Sequence, residues 1–168
     1  MASMLEMFSP ALGIHSKRVA DLACRIGQWL EVDQDMLRNI ELAAHLHDIG
    51  KMVMLAAKNR SSGRSKTVGR QDAVDYAEAG YNILARIHGF ENIADGVRYQ
   101  NEQFSGGGTP MGIKGDKIPL SSRIIAVASA YDDAVFSSSK PIDPDRKKGI
   151  ATLVAAKNER FDPKVVQV

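Results

Sequence analysis

The chain has 168 residues, of which 44% are hydrophobic and 25% charged, so it is long enough for one globular domain with its own core. A net charge of +2 is too small to argue for a nucleic-acid partner, and the single cysteine, Cys24, excludes an internal disulfide. No apolar run approaches the ~20 residues of a membrane span and no signal peptide opens the chain, so we expect a cytoplasmic domain without membrane insertion.

The first predicted helix starts at Ser9-Pro10, a capping serine followed by proline at the first helical position, and runs to about Leu30. Apolar side chains recur on one of its faces at three- and four-residue steps. This predicted inward stripe consists of Val19, Leu22, Ala23, Ile26, Trp29 and Leu30. Asp33 predicts the cap of a second helix, whose apolar stripe ends at His47.

The middle of the chain alternates between helices and polar loops. Residues 58–70 carry five basic side chains and no acid, which predicts a solvated loop or, alternatively, a basic flap for a phosphate ligand. Helices are predicted from about Gln71 to His88, with Ile87 inward, and from about Asn92 to Gln103. Residues 105–117 form a glycine-rich loop, whose triple glycine indicates backbone conformations closed to other residues.

Prolines mark the remaining helix starts. Pro119 opens a helix with a clean apolar stripe. Asp143-Pro144, a capping residue followed by proline, predicts a helix to about Lys157, and Asp162-Pro163 predicts another helix start in the same way. No alternating strand pattern of useful length occurs. The predicted fold is therefore all-α, a bundle of about six to eight helices.

The stretch from His47 to Lys51 sets an imidazole beside a carboxylate at the end of a helical run. Both groups are good ligands for a divalent first-row metal. Because neighbours on a helix point about 100° apart, His47 and Asp48 can reach one ion only near a helix end or between two helices. Gly50 suits a helix that is ending or closely packed, and Lys51 could meet a phosphate.

Six segments occur in the order, and with the residues, of a known family: residues 15–20, 43–51, 79–84, 102–110, 118–124 and 160–163. Together they span nearly the whole chain, which resembles the HD superfamily of metal-dependent phosphohydrolases and, within it, the HD-GYP domains of bacterial cyclic-di-GMP signalling. The resemblance implies one HD domain over residues 1–168, excised from a longer signalling protein. In HD-GYP enzymes two or three iron or manganese ions generate a hydroxide that attacks the phosphodiester.

The resemblance also implies which residues serve the site. His15, His47 and Asp48 match metal ligands, and Lys51 matches a lysine that contacts the phosphate. The other ligand positions of the family, one glutamate, three histidines and one aspartate, fall on Ala11, Tyr76, Gln100, Asn101 and Ser129. In the GYP motif, Gly108 and Pro110 remain and Thr109 replaces the tyrosine.

Three ligands cannot assemble a dinuclear centre, which leaves two interpretations open. His15, His47 and Asp48 form either a site for one iron or manganese ion or a metal-free, hydrogen-bonded cluster in which Lys51 pairs with Asp48. Other nearby side chains are not expected to be ligands: Asp132, Asp133, His45 and His88.

Three functional hypotheses follow. The first is a degenerate HD-GYP-like regulatory domain without dinuclear phosphodiesterase activity, which contacts other signalling domains through the 106–115 loop or pairs with a second copy. The second is a mononuclear phosphohydrolase with Lys51 and Arg123 near the phosphate. The third is a nucleotide sensor that binds a cyclic dinucleotide through Lys51 and residues 58–70 without cleaving it.

Overall fold

The computed structural model of the chain describes residues 9–60, 70–136 and 145–167. Its helices are α1 Pro10–Trp29, α2 Gln34–Leu46, α3 Ile49–Arg60, α4 Arg70–Leu84, α5 Glu91–Arg98, α6 Leu120–Val135, α7 Arg146–Ala155 and α8 Pro163–Val166, with a 3₁₀ turn Gly115–Lys117 before α6. Within these ranges the only β pairing is an isolated bridge between Lys157 and Phe161. The all-α prediction is confirmed.

The helices pack around one apolar core. Helix α1 lies against α2 and α6, and α5 lies against α2, α4 and α6. Among the largest fully buried side chains are Val19 on α1, Ile40 on α2, Ile124 and Ile125 on α6, and Phe161 before α8. This packing brings α1, the end of α2 and the C-terminal half of α6 together, which positions the candidate site. No helix in the described ranges is both long and apolar enough to cross a bilayer.

The predicted caps are only partly confirmed. Asp33 and Asp162 accept hydrogen bonds from the backbone N–H groups of Met36 and Lys164. Ser9 does precede α1, but its side chain makes no capping hydrogen bond. The predicted Asp143-Pro144 start lies outside the described residues, and α7 begins at Arg146 with Asp145 as its cap.

Several predicted helix ends are wrong. Helix α3 continues to Arg60, so the first residues of the predicted basic loop are helical, whereas residues 61–69 lie outside the described ranges. Helix α4 ends at Leu84 rather than His88, and α5 at Arg98 rather than Gln103. Residues 58–60 and 99–103 are mostly polar, so the apolar period carries little information there, whereas Ile87 continues the period of α4 beyond the end of that helix.

Two predicted core residues are also exposed. Trp29 is 76% exposed and Ile87 is 43% exposed. Trp29 stands in the last turn of α1, and Ile87 lies beyond the end of α4, so the helical period no longer determines which way it faces.

Candidate metal centre

The His-Asp pair lies at the junction of two helices. Helix α2 ends at Leu46 and α3 begins at Ile49, so His47 and Asp48 form the turn between them. Both are buried, 3% and 4% exposed. His47 Nδ1 donates a hydrogen bond to the Ala44 carbonyl oxygen at 2.8 Å. The expectation that the pair lies near a helix end is confirmed.

Gly50 allows this junction to pack closely against α4. A Cβ at this position would overlap the backbone carbonyl of Tyr76 and lie 2.8 Å from the Gly80 nitrogen. Both contacts are backbone atoms, which cannot move aside as a flexible side chain can. Gly50 is therefore a close-packing glycine at the start of α3, not a helix terminator.

His15 reaches the same place from α1. Its Nδ1 donates to Asp132 Oδ2 at 2.7 Å. Arg18 donates to both oxygens of Asp132, at 2.5 and 2.8 Å. Burial alone would raise the pKa of Asp132, but the hydrogen bonds from Arg18 and His15 outweigh it and hold the pKa below its usual range. Asp132 is thus an ionised acceptor that directs His15 Nε2 away from itself, towards the His-Asp pair.

Three donors converge where these elements meet. His15 Nε2 lies 3.3 Å from His47 Nε2 and 3.8 Å from Asp48 Oδ2, and His47 Nε2 lies 3.5 Å from Asp48 Oδ1. Donors bound to one ion at ~2.1 Å, with angles of about 90–110°, lie ~3.0–3.4 Å apart. The two distances from Asp48 involve different oxygens, and one ligand atom from each residue lies within 4.8 Å of the others, so the side chains must move closer together to hold one cation.

The two imidazoles face each other through their Nε2 atoms. Burial lowers the pKa of His47, so its ring is neutral at neutral pH, and the hydrogen bond to Ala44 places its proton on Nδ1. His47 Nε2 therefore presents a lone pair. Since His15 Nδ1 carries the proton donated to Asp132, its Nε2 faces the lone pair of His47 Nε2 at 3.3 Å, and a shared cation there would find two nitrogen donors.

Lys51 completes the charge balance of the site. Its Nζ donates to Asp48 Oδ2 at 2.7 Å, and its side chain is 38% exposed. Burial opposes the ionisation of Asp48, but its interaction with the His47 imidazole and the charge and hydrogen bond of Lys51 overcome this and lower its pKa. The carboxylates of Asp48 and Asp132 are thus matched by the cations of Lys51 and Arg18.

A second group of donors shares His15 with Asp132 and Asp133. Both oxygens of Asp132 already accept hydrogen bonds from Arg18, and one also accepts from His15, so little lone-pair capacity remains for a cation. The arrangement is consistent with the expectation that Asp132 is not itself a ligand. Of the other histidines, His45 is half-buried and His88 is exposed.

Sequence reasoning missed Arg18 and misplaced Arg123. Arg18 lies three residues after His15 and therefore on the same face of α1, a spacing that could have suggested a shared partner. Arg123 ion-pairs with Asp116 and Asp162. It precedes Asp132 by nine residues, which puts it ~13 Å away along α6 and on the opposite face. The expectation that Arg123 lies near a phosphate at this site is wrong.

The positions that the resemblance aligns with further metal ligands are occupied by neutral side chains. Gln100 Nε2 donates to the backbone carbonyls of His47 and Val97, at 2.8 and 2.9 Å, so it braces the junction between α2 and α3. Ser129 is half-buried one turn before Asp132 on α6, and Ala11 is exposed one turn before His15 on α1. Tyr76 and Asn101 are half-buried.

The glycine-rich loop packs closely against residues 101–103, which precede it in the chain. A Cβ at Gly108 would overlap the backbone of Glu102 and Gln103, while Gly106 and Gly107 have φ of +99° and +78°. The buried Glu102 accepts a hydrogen bond from the Met111 N–H at 2.7 Å, and Thr109 N–H donates to the Asn101 carbonyl. The predicted special backbone is confirmed.

Comparisons with known proteins identify the family of the chain. The HD domain family matches residues 1–165. The cyclic di-GMP phosphodiesterase response regulator RpfG of Xanthomonas campestris is 27% identical over 99% of this chain and 44% of its own length. The 3′3′-cGAMP-specific phosphodiesterase 2 of Vibrio cholerae is 29% identical over 100% of this chain and 33% of its own. The chain thus spans less than half the length of these relatives.

Solved structures share the fold. The cyclic GMP-AMP phosphodiesterase V-cGAP3 of V. cholerae superimposes with a TM-score of 0.74 at 22% identity, over 99% of this chain and 47% of that one. The HD domain of the phosphodiesterase PgpH of Listeria monocytogenes gives 0.64 at 17% identity, over 92% and 80%. The chain therefore belongs to the HD domain family, with homologues named as cyclic di-GMP and cGAMP phosphodiesterases.

Proposed function

We propose that this HD domain is a regulatory module of a bacterial signalling protein that binds one divalent cation, iron or manganese, and does not hydrolyse cyclic dinucleotides. The observation that carries the proposal is the convergence of His15, His47 and Asp48 on one point, beside ligand positions held by neutral residues. A cation bound there would supply a Lewis acid for one phosphate or carboxylate oxygen.

The surroundings of the three donors support the proposed binding of one cation. Asp132 and the Ala44 carbonyl each accept the Nδ1 proton of one histidine, which leaves both Nε2 atoms directed at the site. Lys51 helps to keep Asp48 ionised while 38% of its own side chain stays exposed. These residues prepare the donors and need no rearrangement of the helices.

The neutral residues at the other ligand positions support the proposed lack of hydrolysis. A dinuclear clamp stabilises both the attacking and the leaving oxygen of a phosphodiester, and it requires ligands for a second ion. Gln100 directs its amide at backbone carbonyls, and Ser129 has no charge to offer. The domain would instead act through contacts with other signalling domains or with a second copy, in the cytoplasm.

The test is hydrolysis of cyclic di-GMP and 3′3′-cGAMP in Mn²⁺ or Fe²⁺, with a V. cholerae cGAMP phosphodiesterase as the positive control. We expect no product above the protein-free background from a preparation that contains bound cation. Metal-dependent turnover that His47→Ala abolishes would overturn the proposal.

A mononuclear phosphohydrolase is the second candidate, because the partly exposed side chain of Lys51 places its ammonium beside Asp48, where it could contact a phosphate. A panel of nucleoside mono-, di- and triphosphates would separate the two functions. Turnover that depends on both His47 and Lys51 would favour the enzyme.

A further inference from the structure

A cleft of about 540 Å³ opens between α1, the C-terminal half of α6 and the start of α7. Asp132 lines the cleft and also accepts the hydrogen bond from His15, so the cleft and the candidate metal centre lie on either side of this carboxylate. Its volume is within the ~300–1,000 Å³ of small-molecule sites. Neither the metal centre nor the glycine-rich loop uses this space.

Two guanidinium groups in the cleft are available to a ligand. Arg18 is committed to Asp132, but Arg25 and Arg146 form no ion pair with any described residue, although both line the cleft and both are exposed. Asp21 is the one other carboxylate of the lining, so the cleft keeps a net positive charge. Arginine pairs bind planar or tetrahedral oxyanions through directed hydrogen bonds.

The cleft also contains aromatic surface. Trp29 is 76% exposed, and Phe136 and Tyr131 line the same cleft. The guanidinium of Arg18 lies 3.8 Å from the centroid of Phe136 and occupies one face of that ring. Trp29 has no such cover, and an exposed indole is a platform on which a flat ring can stack.

We propose that this cleft binds a nucleotide, with its phosphate between Arg25 and Arg146 and its base against Trp29. Phosphate alone would not need the aromatic surface, and an apolar ligand would not need the arginines. The site is distinct from the His15, His47 and Asp48 centre. It shares with that centre only the Arg18–Asp132 pair, and it does not depend on the function proposed for the cation.

The experiment uses Trp29, the only tryptophan of the chain, as the reporter. Its emission is titrated with GMP and with 3′3′-cGAMP, with guanosine and ribose 5-phosphate as ligands that lack one of the two groups. Calorimetry provides a second measurement that does not depend on Trp29. We expect saturable binding of at least one of the two nucleotides, and clearly weaker binding of both fragments.

Variants locate the binding. Arg25→Ala and Arg146→Ala should each weaken nucleotide binding about tenfold or more, the loss expected for one charge-assisted contact. Arg38→Ala, an exposed arginine on α2, is the matched control and should leave binding unchanged. Circular dichroism melting curves check that each variant is folded. No saturable binding, or binding that Lys51→Ala abolishes and Arg25→Ala does not, would overturn the proposal.

Discussion

Asp132 lies 2.7 Å from His15 Nδ1 and connects two helices at the centre of the candidate site. The same carboxylate is held by two hydrogen bonds from Arg18, one turn after His15 on α1. An ionised carboxylate accepts the Nδ1 proton of an imidazole and makes its Nε2 a better ligand. The Arg18–Asp132 pair therefore positions His15 without binding the cation itself.

Replacing Asp132 by asparagine should weaken cation binding about 10- to 100-fold, because the amide no longer provides the negative charge that orients and polarises His15. The measurement is titration of the metal-free protein with Mn²⁺ by calorimetry. Asp133→Asn is the matched control, since Asp133 is exposed and lies 3.8 Å from the same nitrogen. Equal losses in both variants would contradict the role given to Asp132.

Replacing Arg18 by glutamine should lower the free energy of unfolding by about 1–3 kcal/mol, because it leaves the buried carboxylate of Asp132 without its charged partner. Urea denaturation measures this loss. In the Asp132→Asn background the same substitution should cost less, since no buried charge remains. Arg38→Gln removes an exposed pair with Asp35 and should cost no more than about 0.5 kcal/mol. Additive losses for Arg18 and Asp132 would mean that the pair is not coupled.

Replacing Gly50 by alanine should destabilise the domain by at least ~2 kcal/mol, because the new methyl group overlaps the Tyr76 carbonyl and the backbones must move apart. Gly27→Ala is the control on α1, where the added Cβ meets side-chain atoms and no backbone, the nearest being the flexible end of Leu37 at 3.0 Å. Its stability should stay within about 1 kcal/mol of the native protein. Thermal or urea unfolding compares the two, and a similar loss in both would contradict the close packing at Gly50.

Restoring the family's ligand types should restore a second ion. The substituted protein carries a glutamate, three histidines and an aspartate at the neutral positions: Ala11→Glu, Tyr76→His, Gln100→His, Asn101→His and Ser129→Asp. Elemental analysis should find more than one ion per chain, and hydrolysis of a cyclic dinucleotide should rise above background.

The control for this experiment adds His47→Ala to the same protein, which should lose both the extra metal and the hydrolysis. Failure of a folded, fully substituted protein to gain any metal would mean that these positions do not face the centre. That result would remove the neutral residues as the reason for the proposed inactivity.

Part of this structure follows from local sequence. The helical period and the Asp33 and Asp162 caps predict the all-α fold because they depend on neighbours along the chain. The position of His47 and Asp48 near a helix end also follows, because adjacent residues cannot serve one ion from a continuous helix. Gly50 was expected to mark either a helix end or a closely packed helix, and the structure is needed to show that close packing is the reason.

The rest depends on tertiary contacts. His15 and Asp132 are separated by 117 residues, and nothing local in either helix indicates that they meet. Trp29 continues the apolar stripe of α1, yet it lies in the cleft surface because no described element covers that turn. Arg123 is the converse case, because the hypothesis of a mononuclear phosphohydrolase put it near the phosphate, whereas α6 places it on the face opposite Asp132.

The central claim is that the domain holds one cation at His15, His47 and Asp48. The most direct measurement is elemental analysis of protein expressed with iron and manganese supplied and purified without chelator or affinity tag. We expect about one ion per chain, lost in His47→Ala. Near-zero metal would contradict the cation centre and favour the hydrogen-bonded cluster, and two or more ions per chain would contradict the assignment of the neutral positions.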